Sequence, residues 1–279
     1  MKKKKLLKAN VSLRNNPVCP IGDLTWKKYY WVRSQKEPLY EKDYWGEVKD
    51  PDGNQRNLTE EWDQQVSKLR HIVDFIEEIK SGKILDVGCG PGFLLSALSE
   101  KWDKHGIDIS QTALEYCSKY AKVFRGKLPN LNFEEDMFDV VVMNHVIEHI
   151  LKPLEYIVEV RRILKDGGIF IIATPDFDSA CARRFGNNFR MLHDKGHISL
   201  FTSFSLVKMI EDFNFEIICI DYPFFDTVYF TKENINRMFD TGKVSPPFYG
   251  NHVIVYSYNR KKNSTSSCNK MKEDYEYGN

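Results

Sequence analysis

The chain has 279 residues, a length that suits one large or two small domains. It is 42% hydrophobic and 28% charged, which fits a folded chain with a sizeable core and excludes collagen-like, disulfide-scaffold and wholly disordered classes. Forty basic and 39 acidic residues leave a formal charge of +1, so no overall field favours nucleic acid or an acidic partner.

In chain order, Met1-Lys-Lys-Lys-Lys-Leu-Leu-Lys8 has the charge of a signal n-region, but the polar stretch 8–16 stands where the apolar core of a signal would be. These lysines can touch anionic lipid weakly, or simply be solvated. Residues 1–56 are aromatic-rich and aperiodic, and Trp26, Tyr29, Tyr30, Trp31, Tyr40, Tyr44 and Trp45 suit a lid segment that packs on another body. Asn57 with Glu60 makes a capping-box pattern, and Trp62, Val66, Leu69, Val73 and Ile76 predict a helix that ends at Ser81-Gly82.

From Lys83 short apolar runs alternate with helical stretches. Strands are predicted at Ile84–Val87, His105–Ile109, Val123–Phe124, Phe138–Asn144 and Ile169–Thr174. Helices are predicted from Phe93 to Lys101, from the Ser110 cap to about Ala121, and from Pro153 to Leu164, the last stopped by Asp166-Gly-Gly168. A helix at Ser203–Phe213, a strand at Glu216–Asp221, an aromatic insertion over 223–250 and a strand at His252–Tyr258 follow, then a polar tail over 259–279. This alternation predicts an α/β fold with a doubly wound, mostly parallel sheet, and a domain spanning 57–258. No apolar run approaches the roughly 20 residues of a membrane span. The six cysteines (Cys19, Cys89, Cys117, Cys181, Cys219 and Cys268) contain no C-x-x-C pair, which speaks against a zinc module and for a reducing cytoplasm.

Asp86-Val-Gly88-Cys-Gly90-Pro-Gly92 is a glycine-rich turn from a strand into a helix, which brings backbone amides close to a ligand. Its G-x-G-x-G spacing is one residue short of the dinucleotide pattern, and Pro91 removes an amide. Asp108 ends the second strand twenty residues beyond Gly88, where a carboxylate accepts both hydroxyls of a ribose or serves as a helix-start charge beside Ser110. Loop and carboxylate together point to a cofactor that contains adenosine.

Ile84-Leu-Asp-Val-Gly-Cys-Gly-Pro-Gly92 resembles the first motif of the class I S-adenosylmethionine-dependent methyltransferases. His105–Ser110, Phe138–His149 and Arg162–Pro175 resemble their second-, fourth- and fifth-strand motifs, in the same order. His197-Ile-Ser-Leu-Phe-Thr202 and Ser245–Asn251 look like the branch that acts on small molecules, saccharides and lipid-linked precursors, which includes the ubiquinone-biosynthesis O-methyltransferases. The resemblance implies a Rossmann-like sheet of seven strands, mostly parallel with an antiparallel last strand. It implies S-adenosyl-L-methionine as cofactor, with Gly88, Cys89 and Gly90 along its methionine part, Asp86 on its amino group and Asp108 on its ribose. Ile109 and Asn144 complete that set. The adenine falls to the backbone of Lys127 and Leu128, since Arg125-Gly-Lys-Leu128 lacks the acid relatives often carry there. Tyr44 is a candidate to close over the sulfonium.

Methyl transfer from a sulfonium needs alignment, water exclusion and, for a hydroxyl acceptor, a general base. His145 is the first candidate, at the edge where parallel sheets bind ligands, followed by His197 and His193. His145, Glu148 and His149 would share a helix face at i, i+3 and i+4. An acidic-x-x-Glu-His run is implicated in metal binding in the ubiquinone-pathway relatives, but the first position here is His, and no metal is assigned. The expected acceptor is a sugar nucleotide, a saccharide or a prenylated or aromatic metabolite, methylated on oxygen, with segments 177–203 and 223–250 shaping its pocket. Phe177, Phe185, Phe189, Phe201, Phe224 and Phe225 give an apolar wall there, though most of them suit the core.

Three other readings stay open. An adenine-N6 enzyme needs an Asn/Asp-Pro-Pro-aromatic box after the fourth strand, where Asn144-His-Val-Ile147 stands. An NAD-dependent oxidoreductase needs a different glycine spacing. A non-catalytic interaction protein would keep the fold without the chemistry.

Overall fold

The computed structural model describes residues 25–33, 48–49, 55–223, 229–247 and 251–261. Tyr40, Tyr44, Trp45, Cys19, Phe224, Phe225, the N-terminal lysines and the tail beyond 261 lie outside the described residues.

Seven strands make the main sheet: β1 (Gly82–Val87), β2 (Trp102–Asp108), β3 (Lys122–Arg125), β4 (Phe138–Asn144), β5 (Leu164–Pro175), β6 (Phe215–Asp221) and β7 (His252–Asn259). Their order is β6-β7-β5-β4-β1-β2-β3. The pairs β1·β2, β1·β4, β2·β3 and β4·β5 are parallel, and β7 is antiparallel to both β5 and β6. The doubly wound sheet with an antiparallel last strand is therefore as the sequence predicts.

Period-two alternation sends neighbouring side chains of each inner strand to opposite faces. Leu85, Val87, Val141, Met143, Phe170 and Ile172 join one core, which also takes Ile157 and Val160 of α5 (Pro153–Ile163) and Leu206 and Met209 of α7 (Ser203–Asp212). Ile84, Val140, Val142, Ile169 and Ile171 join the other core. There they meet Ile72 and Ile76 of α2 (Arg70–Glu77), Leu94 and Leu95 of α3 (Phe93–Ala97) and Leu114 of α4 (Gln111–Cys117). Both faces are covered, so the central strands read as unbroken apolar runs.

Three expectations shift. The long helix after Asn57 is two, α1 (Trp62–Lys68) and α2, separated at Leu69. Asn57 does cap, accepting from the amides of Thr59 and Glu60 at 3.1 and 3.2 Å, but over a turn ahead of α1. α3 stops at Ala97 because Leu98 is extended, and β2 begins early, at Trp102. Asp166-Gly-Gly168 does not separate helix from strand: β5 begins at Leu164, and these residues fall where the register against β4 shifts.

After β5 comes an insertion that includes α6 (Ala180–Phe185), capped by the Ser179 side chain, and a two-residue strand, Ser199–Leu200. That strand pairs with Trp31–Val32, which also pairs with Thr25–Trp26. The N-terminal segment thus packs on the insertion, with Trp31 buried among Phe177, Phe185, Phe189 and Leu200. Among the described residues no helix is long and apolar enough to cross a membrane.

Candidate active site

The turn after β1 is held by the amides of Gly88 and Cys89, which both donate to the carbonyl of Ile107 at 2.7 and 3.0 Å. Gly88 has φ +71°, and a Cβ there would lie 2.5 Å from Val146 Cγ2. Only glycine allows the loop to pass this close to the end of β4. The Cys89 thiol turns inward, away from the loop's outer side: a Cβ at Gly106 would meet its Sγ at 2.8 Å. Cys89 therefore contributes packing, and its hydrogen bond with Cys117, followed by burial, pushes its pKa up.

Asp108 spans loop and helix. Its Oδ2 accepts from the Gly90 amide at 3.0 Å and its Oδ1 from the Ser110 amide at 2.8 Å, while the Ser110 hydroxyl caps α4. Burial raises the Asp108 pKa despite these donors. Asp86 is buried nearby, and burial first, then the charge of Asp108, pushes its carboxyl up to about 8. The Gly126 amide donates to the Asp108 carbonyl at 3.0 Å, which brings the Arg125–Leu128 turn alongside. Leu128 is fully buried, backbone and side chain alike, whereas Lys127 is half-buried and Ile109 is 40% exposed.

Beyond half-buried Asn144, His145 takes a left-handed φ of +56° and its amide donates to the Ala173 carbonyl at 2.9 Å. A short 3-10 turn, Ile147–His149, follows in place of the helix whose face His145, Glu148 and His149 were expected to share. His145 and Glu148 still meet. Nδ1 lies 3.0 Å from Glu148 Oε1, and the Thr174 hydroxyl donates to Oε2 at 3.0 Å. Glu148 is fully buried. Burial alone would raise its pKa, but the hydrogen bond from His145 and the charges of His145, His149 and His197 outweigh that and hold it at about 2.

His149 donates from Nδ1 to the Gly196 carbonyl at 2.9 Å, and His197 from Nδ1 to the Met191 carbonyl at 2.6 Å. Their rings are 4.8 Å apart. Burial, and then His149, lowers the His197 pKa to about 4. Glu148, His149 and His197 each bring a ligand-capable atom within 4.8 Å of the others, a set that could take a divalent cation. His193 is exposed and stays apart, its Nε2 3.2 Å from the Asn187 carbonyl in its own loop. Thr174 and His252 also belong to this cluster, and no local sequence motif marks either of them. The His252 ring stands edge-on to His145 at 4.4 Å between centroids. Its pointer was available in the antiparallel last strand, whose first residue must lie beside the end of β5; His252 is in register with Pro175.

A family model described as "Methyltransferase domain" matches residues 55–220. The ubiquinone biosynthesis O-methyltransferase of Roseobacter denitrificans is 30% identical over 106 residues, 35% of this chain and 43% of that protein. An uncharacterized protein of Methanocaldococcus jannaschii is 28% identical over 182 residues, 64% of this chain and 70% of that one. The chain spans half or less of the length of several curated relatives it matches. A SAM-dependent methyltransferase from Archaeoglobus fulgidus shares the fold with a TM-score of 0.54, at 17% identity over 72% of this chain and 98% of that one. With its strand order, its glycine turn and a family match over more than half its length, the chain belongs to the methyltransferase-domain family.

Proposed function

We propose that this protein transfers a methyl group from S-adenosyl-L-methionine to the hydroxyl of a small-molecule, saccharide or lipid-linked acceptor. The observation that carries the reading is Asp108, whose carboxylate joins the glycine loop to the start of α4 beside buried Asp86. These residues fit the cofactor. The two amides occupy two of the roughly four acceptor positions on the Asp108 carboxylate, which leaves capacity for ribose hydroxyls. Asp86 is a buried carboxylate suited to a cationic amino group, and Gly88 keeps the loop free of a side chain.

When bound, the cofactor supplies a methyl group already activated on a sulfonium. The chain's own work is to orient and to move a proton. Asp86 holds the amino group of the cofactor and Asp108 its ribose, while His145, at the end of β4, takes the acceptor's hydroxyl proton. The insertion after β5, packed on the N-terminal segment, walls the acceptor side from water. Oxygen as the acceptor atom is supported by that imidazole and by the likeness to ubiquinone-pathway O-methyltransferases. In this reading 57–258 is the transferase body, 1–56 covers it and 259–279 is a tail. The four described cysteines are thiols, which suits a cytoplasmic setting.

Calorimetric titration with S-adenosylmethionine, S-adenosylhomocysteine and NAD tests the reading. Micromolar binding of the sulfur cofactors, reduced at least about tenfold in Asp108→Ala, is expected. Folded protein that ignores both would overturn it, and NAD binding in their place would favour the oxidoreductase.

A further inference from the structure

We infer that Glu148 is the positioning residue of the acceptor base: it holds His145 with the proton on Nδ1, so that Nε2 presents the lone pair. The inference rests on the methyl-transfer reading above and adds to it a residue that touches neither cofactor nor acceptor. A carboxylate oxygen only accepts, so the 3.0 Å contact from His145 Nδ1 to Glu148 Oε1 places the proton on Nδ1. The neutral ring then has its acceptor nitrogen at Nε2. The His145 side chain is 35% exposed while that of Glu148 is 0% exposed, so a solute reaches the imidazole and not the carboxylate.

Glu148 is itself braced. Thr174 at the end of β5 donates to Oε2 at 3.0 Å, and the Ile198 amide donates to the Glu148 carbonyl at 2.8 Å. On the other side the edge-on ring of His252 limits rotation of His145. During transfer the acceptor's proton passes to Nε2 as its oxygen bonds the methyl carbon and the C–S electron pair stays on sulfur. The imidazolium then returns the proton to solvent. Glu148 stays ionised throughout, stabilising the imidazolium as a buried carboxylate does in a His-carboxylate pair.

A cation on Glu148, His149 and His197 is the competing use of the same carboxylate. Both Glu148 oxygens already accept a hydrogen bond, and His197 Nε2 is 3.6 Å from Asp194 Oδ2. Those contacts favour the orienting role.

The test is made on the full chain and needs no acceptor. Histidine-labelled protein should show His145 as the Nδ1–H tautomer by nitrogen NMR. Diethyl pyrocarbonate, which attacks a neutral imidazole nitrogen, should modify His145 about tenfold more slowly in Glu148→Gln, with exposed His193 as the internal reference. Glu148→Asp should restore part of the rate. Thr174→Val, which removes only the bracing hydroxyl, should slow it about threefold and serves if the Glu148 variants do not fold. Unchanged His145 reactivity in folded variants, or an Nε2–H tautomer in the parent, would overturn the inference. So would one equivalent of tightly held metal that is lost in Glu148→Gln. Cofactor titration of the parent separates the two levels: failure there removes the methyl-transfer reading, whereas retained binding with an indifferent His145 removes only the role of Glu148.

Discussion

Asp86 shows how one buried carboxyl couples protonation to ligand binding. Its ordinary value is 3.8, and in the folded chain burial and the charge of Asp108 raise it to about 8. Between those values the folded chain keeps a proton that the unfolded chain releases. Its contribution to stability is therefore complete below about pH 4 and is lost as pH rises through about 8. A cationic amino group binds the ionised form. Affinity for S-adenosylhomocysteine should rise from pH 6 to pH 8, by up to about tenfold per pH unit. Asp86→Asn should bind more weakly and lose that dependence; parallel pH profiles for the two proteins would contradict the assignment. The position of Asp86 ahead of the glycines was legible in the chain. Its protonation was not, because that depends first on the burial the folded sheet imposes and then on Asp108 arriving from the next strand.

At the level of elements, the turn between β1 and α3 is tied to the turn after β4. Gly88 combines a positive φ with a Cβ position 2.5 Å from Val146 Cγ2. Gly88→Ala should cost about 1–3 kcal/mol, seen as a lower thermal midpoint. Adding Val146→Ala should recover the part due to the clash and leave the part due to backbone strain. Full recovery would mean that φ imposes no penalty here. The strands were readable because each inner one is an apolar run bounded by turn residues. Helix limits were less so: α3 gives way at Leu98, and β5 absorbs Asp166-Gly-Gly168 through a register shift. In β5 pairing with the sheet outweighs local propensity.

Over the whole molecule, the N-terminal segment and the insertion after β5 form one structure. Trp31 pairs with Leu200 through the backbone and is buried against Phe177, Phe185 and Phe189. Tyr29 donates to Asp212 at 2.9 Å, and the Arg33 side chain donates to the Asp194 carbonyl at 2.7 Å. Trp31→Ala should lower stability by roughly 3–5 kcal/mol in urea unfolding and make the insertion an early site of limited proteolysis. A loss under about 1 kcal/mol would mean that the segment docks without supporting the body.

The sequence by itself determined the order and type of the main strands, the glycine turn and the placing of Asp86 and Asp108 at strand ends. Periodicity and turn chemistry act over a few residues, and a parallel sheet brings the carboxyl ends of its strands to one edge. Only the tertiary structure decided which side chains meet at that edge. His145 leaves β4 in a left-handed conformation, Thr174 ends β5, His197 comes from the insertion, and His252 starts a strand that runs the other way. Their joint contact with buried Glu148, or with one another, depends on sheet order and register, which bring together residues that local patterns cannot relate.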